Sequence, residues 1–157
     1  MAKALPSSPT SHPSPYGFLY GNRHYLVAYS ENEQARAVRM FALLNVTAVT
    51  LLDDGFVAQS DFSLRSFASQ SFGVFQERPA KVAWRFSAKA APDAREFNFH
   101  PTQRLTEQPD GSLIVELEAG GLLEMCWHLV TWGSEVEILK PKRLQRLMEQ
   151  LLREGLQ

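Results

Sequence analysis

An α+β chain in two parts is predicted by three features of the 157-residue sequence. "YGFLYGNRHYLVAYS", Tyr16 to Ser30, alternates like two strands around a Gly-Asn pair. The second half runs strand, helix, strand, strand, helix, strand and closes on a leucine-striped helix. Between them, "SDFSLRSFASQSFGVF" is a short amphipathic connector, and the boundary is expected there. A chain of this length can fold as one domain or as two small ones with separate cores.

Residues 1–13 begin a stretch that, through Pro15, holds four prolines and four serines and hardly any large apolar residue, which predicts a disordered or extended leader. The hairpin follows. If Gly21-Asn22 forms a two-residue turn, Tyr20 pairs with Arg23, Phe18 with Tyr25 and Tyr16 with Val27. The strand period of two then gathers Tyr16, Phe18, Tyr20, Arg23, Tyr25, Val27 and Tyr29 on one face. Leu19, His24, Leu26 and Ala28 fall on the other, a small aliphatic side that suits a barrel interior. The aromatic side has two uses open to it: packing under another element or a subunit, or binding a ligand. "AVRMFALLNVTAVTLLDDG" reads as two consecutive strands bent near Leu44-Asn45 and ended by Asp53-Asp54-Gly55. The connector helix is expected to start near Ser63 and stop at Gly73.

In the second half "KVAWRFSA" is a strand and "APDAREF" a short helix opened by Pro92 and Asp93. "RLTEQPDGSLIVELEA" is two strands around a Pro-Asp-Gly turn. "GGLLEMCWHLVTWG" is helical, with Leu122, Met125, Cys126 and Leu129 on one stripe and Gly133 as its C-cap. "EVEIL" alternates as a half-buried strand. Pro141 opens a last helix striped with Leu144, Leu147, Met148, Leu151 and Leu152. The order β-α-β-β-α-β plus a helix is the ferredoxin-like split βαβ pattern.

Composition narrows the function. Sixteen basic and seventeen acidic residues leave a formal net charge of −1, so no global field draws the chain to nucleic acid or anionic lipid. A polyanion would need a local cluster, for which Arg36, Arg39, Arg65, Arg78, Lys81 and Arg85 are candidates. No apolar run approaches the roughly 20 residues that cross a bilayer, and the start lacks the apolar core of a secretory signal. One cysteine, Cys126, excludes an internal disulfide framework and fits a reducing compartment, so a cytoplasmic location is expected. Phosphate loops, metal-spaced His or Cys pairs and nucleophile elbows are missing, so no enzyme, metal or cofactor is expected. Cys126 reads as a core thiol, His100 as a hydrogen-bonded structural histidine, and Asp53-Asp54 as a turn pair. Rings beside guanidinium groups are more informative, because stacking plus phosphate contact is how single-stranded nucleic acid is held.

"SPYGFLYGNRHYLVAYS" followed by "VRMFALLNVTAVTLLDD" resembles the WYL domain of bacterial transcriptional regulators, whose Trp-Tyr-Leu triplet stands here as His24-Tyr25-Leu26. "FSLRSFASQSFGVF", "FHPTQRL", "DGSLIVEL", "WHLVTWGSEVEILKP" and the last leucine helix resemble the linker and C-terminal extension that follow WYL domains. The resemblance covers residues 14 to 154 in the family's order. It implies a partial Sm-like or SH3-like small barrel over 14–60, a linker over 61–78 and the extension over 79–157. It further implies a sensor of single-stranded nucleic acid or a nucleotide-like effector, a homodimer held through the extension, and a place after a winged helix-turn-helix that this stretch lacks. The family's ligand-facing positions carry over to Ser14, Tyr16, Arg23, Tyr25 and Arg39, and its triplet and following strand add His24 and Phe41. Where the family commonly reads Phe-Arg-Leu-Asp-Arg-Ile, this chain reads Phe41-Ala42-Leu43-Leu44-Asn45-Val46. That loss of two bases and an acid implies a weaker grip on polyanions or a less charged ligand. The competing expectation is an oligomerisation module without a ligand, with the hairpin rings buried between subunits.

Overall fold

The computed structural model describes residues 13–21, 23–30 and 36–155. It divides the chain into two compact units, with the boundary between Leu64 and Arg65. The class is mixed α+β, with one antiparallel sheet of three strands and one of four.

In the first unit, β1 (Ser14–Tyr20), β2 (His24–Ser30) and β3 (Ala37–Ala42) pair in the order β1-β2-β3. The register differs from the two-residue-turn expectation. Tyr20 aligns with His24, Leu19 with Tyr25 and Phe18 with Leu26, so three positions separate the strands. Gly21 N–H donates to the Arg23 carbonyl at 3.2 Å within that loop. Asn22, half of the predicted turn, lies outside the described residues. A one-residue change in loop length flips every side chain of one strand relative to the other. Phe18 and Tyr20 therefore share a face with His24 and Leu26, not with Tyr25 and Val27. The reason is burial. The opposite face brings Leu19, Tyr25, Val27, Val38 and Met40 into neighbouring register, with Val27 fully buried. A bulge between Pro15 and Gly17 leaves Tyr16 as the extra residue of β1.

The expected bend at Leu44-Asn45 is present as a 3-10 turn, Leu43–Asn45, closed by Val46 N–H donating to the Leu43 carbonyl at 3.1 Å. The strand expected after it does not form: residues 46–52 lie in no strand and join no ladder among the described residues, and their side chains are exposed. The connector helix is shorter than predicted, Leu64–Ala68 (α1). It stops because the next residues are drawn to Gly120. Ser71 bridges that glycine, Phe72 N–H donates to its carbonyl at 3.0 Å, and its own N–H reaches Gln70 O at 2.8 Å.

The second unit follows the predicted element order. It contains β4 (Ala80–Phe86), α2 (Ala91–Glu96), β5 (Arg104–Glu107), β6 (Leu113–Ala119), α3 (Leu122–Val130), β7 (Val136–Lys140) and α4 (Lys142–Glu154). Gly133 does not cap α3, which ends at Val130. It instead opens a 3-10 turn, Gly133–Glu135, that leads into β7. The strands lie in the order β5-β6-β4-β7. Alternation sends Val82, Trp84 and Phe86 of β4 and Leu113, Val115 and Leu117 of β6 to one face. That face packs on Leu122, Met125, Cys126 and Leu129 of α3 and on Leu144 of α4, the residues predicted as apolar stripes. Ala91 and Ala94 let α2 approach closely. Of the α4 stripe, Leu147, Met148 and Leu151 pack against this core and Leu152 is exposed.

This second core dominates. Each large side chain removed from water contributes roughly 1.5–3 kcal/mol. Among the described residues, the first unit buries only Tyr25, Val27 and Ala28 of its apolar residues. Glu124, on the first turn of α3, is also buried, and its carboxylate accepts the N–H of Val74 at 3.0 Å and of Phe75 at 2.9 Å. No helix is long and apolar enough to cross a membrane among the described residues.

Candidate functional site

The open face of the three-stranded sheet is set by its register. Tyr20 stands beside His24; Phe18, Leu26 and Phe41 form the next row; Pro15, Ala28 and Arg39 the row after, where Ala28 is fully buried, so the face is open at its hairpin end. Phe18 is 50% exposed and Tyr20 72% exposed, unusual for rings of this size, and Arg39 and His24 are exposed as well. The Phe18 and Tyr20 centroids are 6.2 Å apart, and His24 meets Tyr20 edge-on at 5.1 Å. Three rings in sequence, with a guanidinium two rows away, give planar apolar surfaces for stacking and one positive charge for a phosphate or carboxylate.

The seven sequence-predicted residues do not all lie here. His24, Arg39 and Phe41 share the open face. Arg23 is exposed at the end of the hairpin loop. Tyr25 is only 8% exposed and lies on the opposite face, across from Leu19 and Ala42. Ser14 aligns with Tyr29, in the same set of rows as Tyr25. Tyr16 is occupied by its own unit: its ring lies 4.6 Å from Phe62 and 6.2 Å from Phe56, and its hydroxyl accepts the Gln59 N–H at 3.1 Å. Gly17, at φ +154°, completes that packing, since a Cβ there would stand 2.5 Å from Leu64 Cδ2. Tyr16 and Gly17 thus tie the chain around residues 56–64 to β1.

Phe18 and Tyr20 are the residues that the motif comparison passes over. Their alternate spacing in "FLY" was a usable signal, but only the loop length decides which partner strand residues they join.

In the second unit the titratable groups are structural. Burial pushes the Cys126 thiol up to about 11, and its Sγ lies 3.9 Å from the Leu144 carbonyl, a core thiol as expected. His100 Nε2–H donates to the Ser69 carbonyl at 3.1 Å while Nδ1 lies 2.8 Å from Thr102 Oγ1. Burial lowers its pKa, the Ser69 bond opposing. His128 sits among Phe72, Phe97, Phe99 and Trp132, accepts the Trp132 indole N–H at 3.2 Å, and is likewise lowered by burial. On the sheet's other face, Lys140 bonds Glu116 at 2.8 Å and holds its carboxyl below the usual range, with Arg104 adding to the effect. No cluster of three or more His, Cys, Asp or Glu side chains could hold a metal among the described residues.

Comparison with known proteins gives a family match and similar solved structures. The model of the WCX domain matches residues 78–156. Among solved structures, proteasome accessory factor B/C (PafBC) of Arthrobacter aurescens is similar over 87% of this chain at 22% identity, with a TM-score of 0.40. The matched region covers 20% of that protein, so the chain spans about a fifth of its length. No curated protein matches.

Proposed function

The chain belongs to the WCX domain family, the C-terminal domain of WYL-type regulators, and from that premise we propose that it is the effector-sensing and dimerising region of such a regulator, working in the cytoplasm. The effector would be single-stranded nucleic acid or a nucleotide-like molecule. Residues 14–60 would be a WYL region of Sm-like barrel type, 61–78 its linker, and 79–157 the extension. The order β5-β6-β4-β7 with α2 and α3 as crossovers supports a ferredoxin-like reading of that extension.

One observation carries the ligand proposal: Phe18, Tyr20 and His24 stand exposed on the same sheet face as Phe41 and Arg39. Bases would stack on the rings, and Arg39, with Arg23 at the loop, would meet the backbone phosphates. Tyr25, Ser14 and Tyr16 would act from behind, holding the strands in register. Few cations imply few released counterions, so binding should weaken only modestly with salt.

The test is a fluorescence titration of labelled single-stranded DNA at low and moderate salt. Wild type should bind at low salt. Tyr20→Ala should weaken binding roughly 5- to 150-fold, the equivalent of about 1–3 kcal/mol for one stacked base. Arg39→Ala should weaken it and reduce its salt dependence. No binding at low salt, or binding indifferent to both changes, would refute the proposal.

A further inference from the structure

On the face turned away from its core, the four-stranded sheet carries a cleft of about 500 Å³, lined by residues of the second unit. That volume falls within the roughly 300–1,000 Å³ of small-molecule sites. The lining combines charged side chains with aliphatic ones, and none of its residues is aromatic. A polar aliphatic molecule suits such a wall, whereas a nucleobase finds no ring to stack on.

Strand register fixes where the charges stand. Glu118 of β6 faces Lys81 of β4 directly, and Arg104 of β5 faces Glu116, the next residue of β6 on the same face. Since β6 lies between β5 and β4, Glu118 has a cation on either side, a plus, minus, plus order across three strands. Two strand spacings, about 10 Å, separate the strands that carry the cations, and long side chains can close that gap around a bound molecule. Among the described residues, the side chains of Lys81, Arg104 and Glu118 make no hydrogen bond or ion pair with the protein. Glu116 differs, because Lys140 of β7 crosses β4 at the small Ala83 and bonds it at 2.8 Å.

The rim is held in place by hydrogen bonds. Thr102 Oγ1 accepts the Glu118 N–H at 3.0 Å, and the Gln70 carbonyl accepts the Gly120 N–H at 2.8 Å. His100 holds the Ser69 carbonyl at 3.1 Å beside them.

We propose that this cleft binds a free amino acid with an acidic side chain, glutamate or aspartate. Along such a molecule the ammonium lies between two carboxylates, a minus, plus, minus order that complements Lys81, Glu118 and Arg104. Charge-assisted hydrogen bonds would form at all three points. A plain dicarboxylate would bring no counter-charge to Glu118, and an uncharged side chain would leave one cation unanswered, so the arrangement selects against both. This adds a second ligand to the proposed function and does not depend on the stacking face of the first unit.

Isothermal titration calorimetry of the full chain with L-glutamate, L-aspartate, glutarate and L-glutamine tests this. One of the two acidic amino acids should bind, and glutarate and glutamine should bind at least tenfold more weakly than it does. Glu118→Gln removes the charge and keeps the shape; it should weaken the amino acid at least tenfold and leave glutarate no weaker. Arg104→Ala should weaken both. These side chains are exposed, so the far-ultraviolet circular dichroism of the variants should match wild type. Arg143→Ala, an exposed cation of α4 outside the cleft, should change nothing. No binding of either acidic amino acid at millimolar concentration overturns the proposal. So does equal binding of glutarate, the mark of a general anion site, or binding indifferent to Glu118→Gln. A chain that binds single-stranded DNA but neither amino acid sinks this proposal alone, and the reverse result sinks the effector reading alone.

Discussion

Gly73 lies so close to Glu124 that any Cβ on it would strike the carboxylate. The missing side chain is what lets one buried acid accept the two N–H groups that follow, those of Val74 and Phe75. Glu124→Ala would leave the buried Val74 donor and the part-buried Phe75 donor without this partner. Each unsatisfied donor costs about 1–3 kcal/mol, so a loss of about 3 kcal/mol is expected in urea unfolding. Glu124→Gln keeps one acceptor oxygen and should lose less. Gly73→Ala should resemble Glu124→Ala, because the acid must vacate the site.

Leu144 is the one wholly buried residue of the α4 stripe, whereas Leu152 is half exposed. Leu144→Ala should cost about 2–5 kcal/mol by leaving a cavity. Leu152→Ala should stay within about 0.5 kcal/mol. Calorimetric melting of the two variants distinguishes them, and equal effects would contradict the packing of α4 described above.

The hairpin register makes an opposed pair of expectations. Val27→Asp buries a charge in the inner rows, so hydrogen-exchange protection of β1, β2 and β3 should collapse. Tyr20→Asp adds a charge to the open face and should leave that protection nearly intact. The two-residue turn would place both residues on one face and could not separate them in this way.

His100 and His128 have native pKa values lowered by burial, so both are held neutral in the folded protein. The unfolded chain then binds more protons than the native one just below the ordinary histidine value of about 6.5. Stability from these sites is complete above that value and is lost as pH falls through it toward the native values. Urea midpoints should drop as pH falls below the ordinary histidine value of about 6.5, and the drop should be smaller in His128→Phe, which keeps a ring but cannot take up a proton.

How much of this was legible beforehand depended on the length of the regular pattern. Leu122, Met125, Cys126 and Leu129 repeat at helical spacing, and "LIVELEA" alternates over seven residues, so the second unit could be read element by element. The hairpin register could not, because two- and three-residue loops through Gly21 differ by one position and reverse the faces. The strand expected after Asn45 has the right propensity, but a strand also needs a partner, and composition does not supply one. Glu124 was illegible for a different reason: an acid in the first turn of a helix ordinarily faces solvent and the helix dipole. Only Val74 and Phe75, about fifty residues earlier, show what it holds.

The bridge from Ser71 to Gly120 has a practical meaning for dissecting the protein. The family match begins at residue 78, but the segment that answers Glu124 and Gly120 lies at 70–75. Heredity and folding thus draw their borders at different places. A gene trimmed to the family's limits would encode every helix and strand of the four-stranded unit, and would still leave a buried acid with nothing to hold.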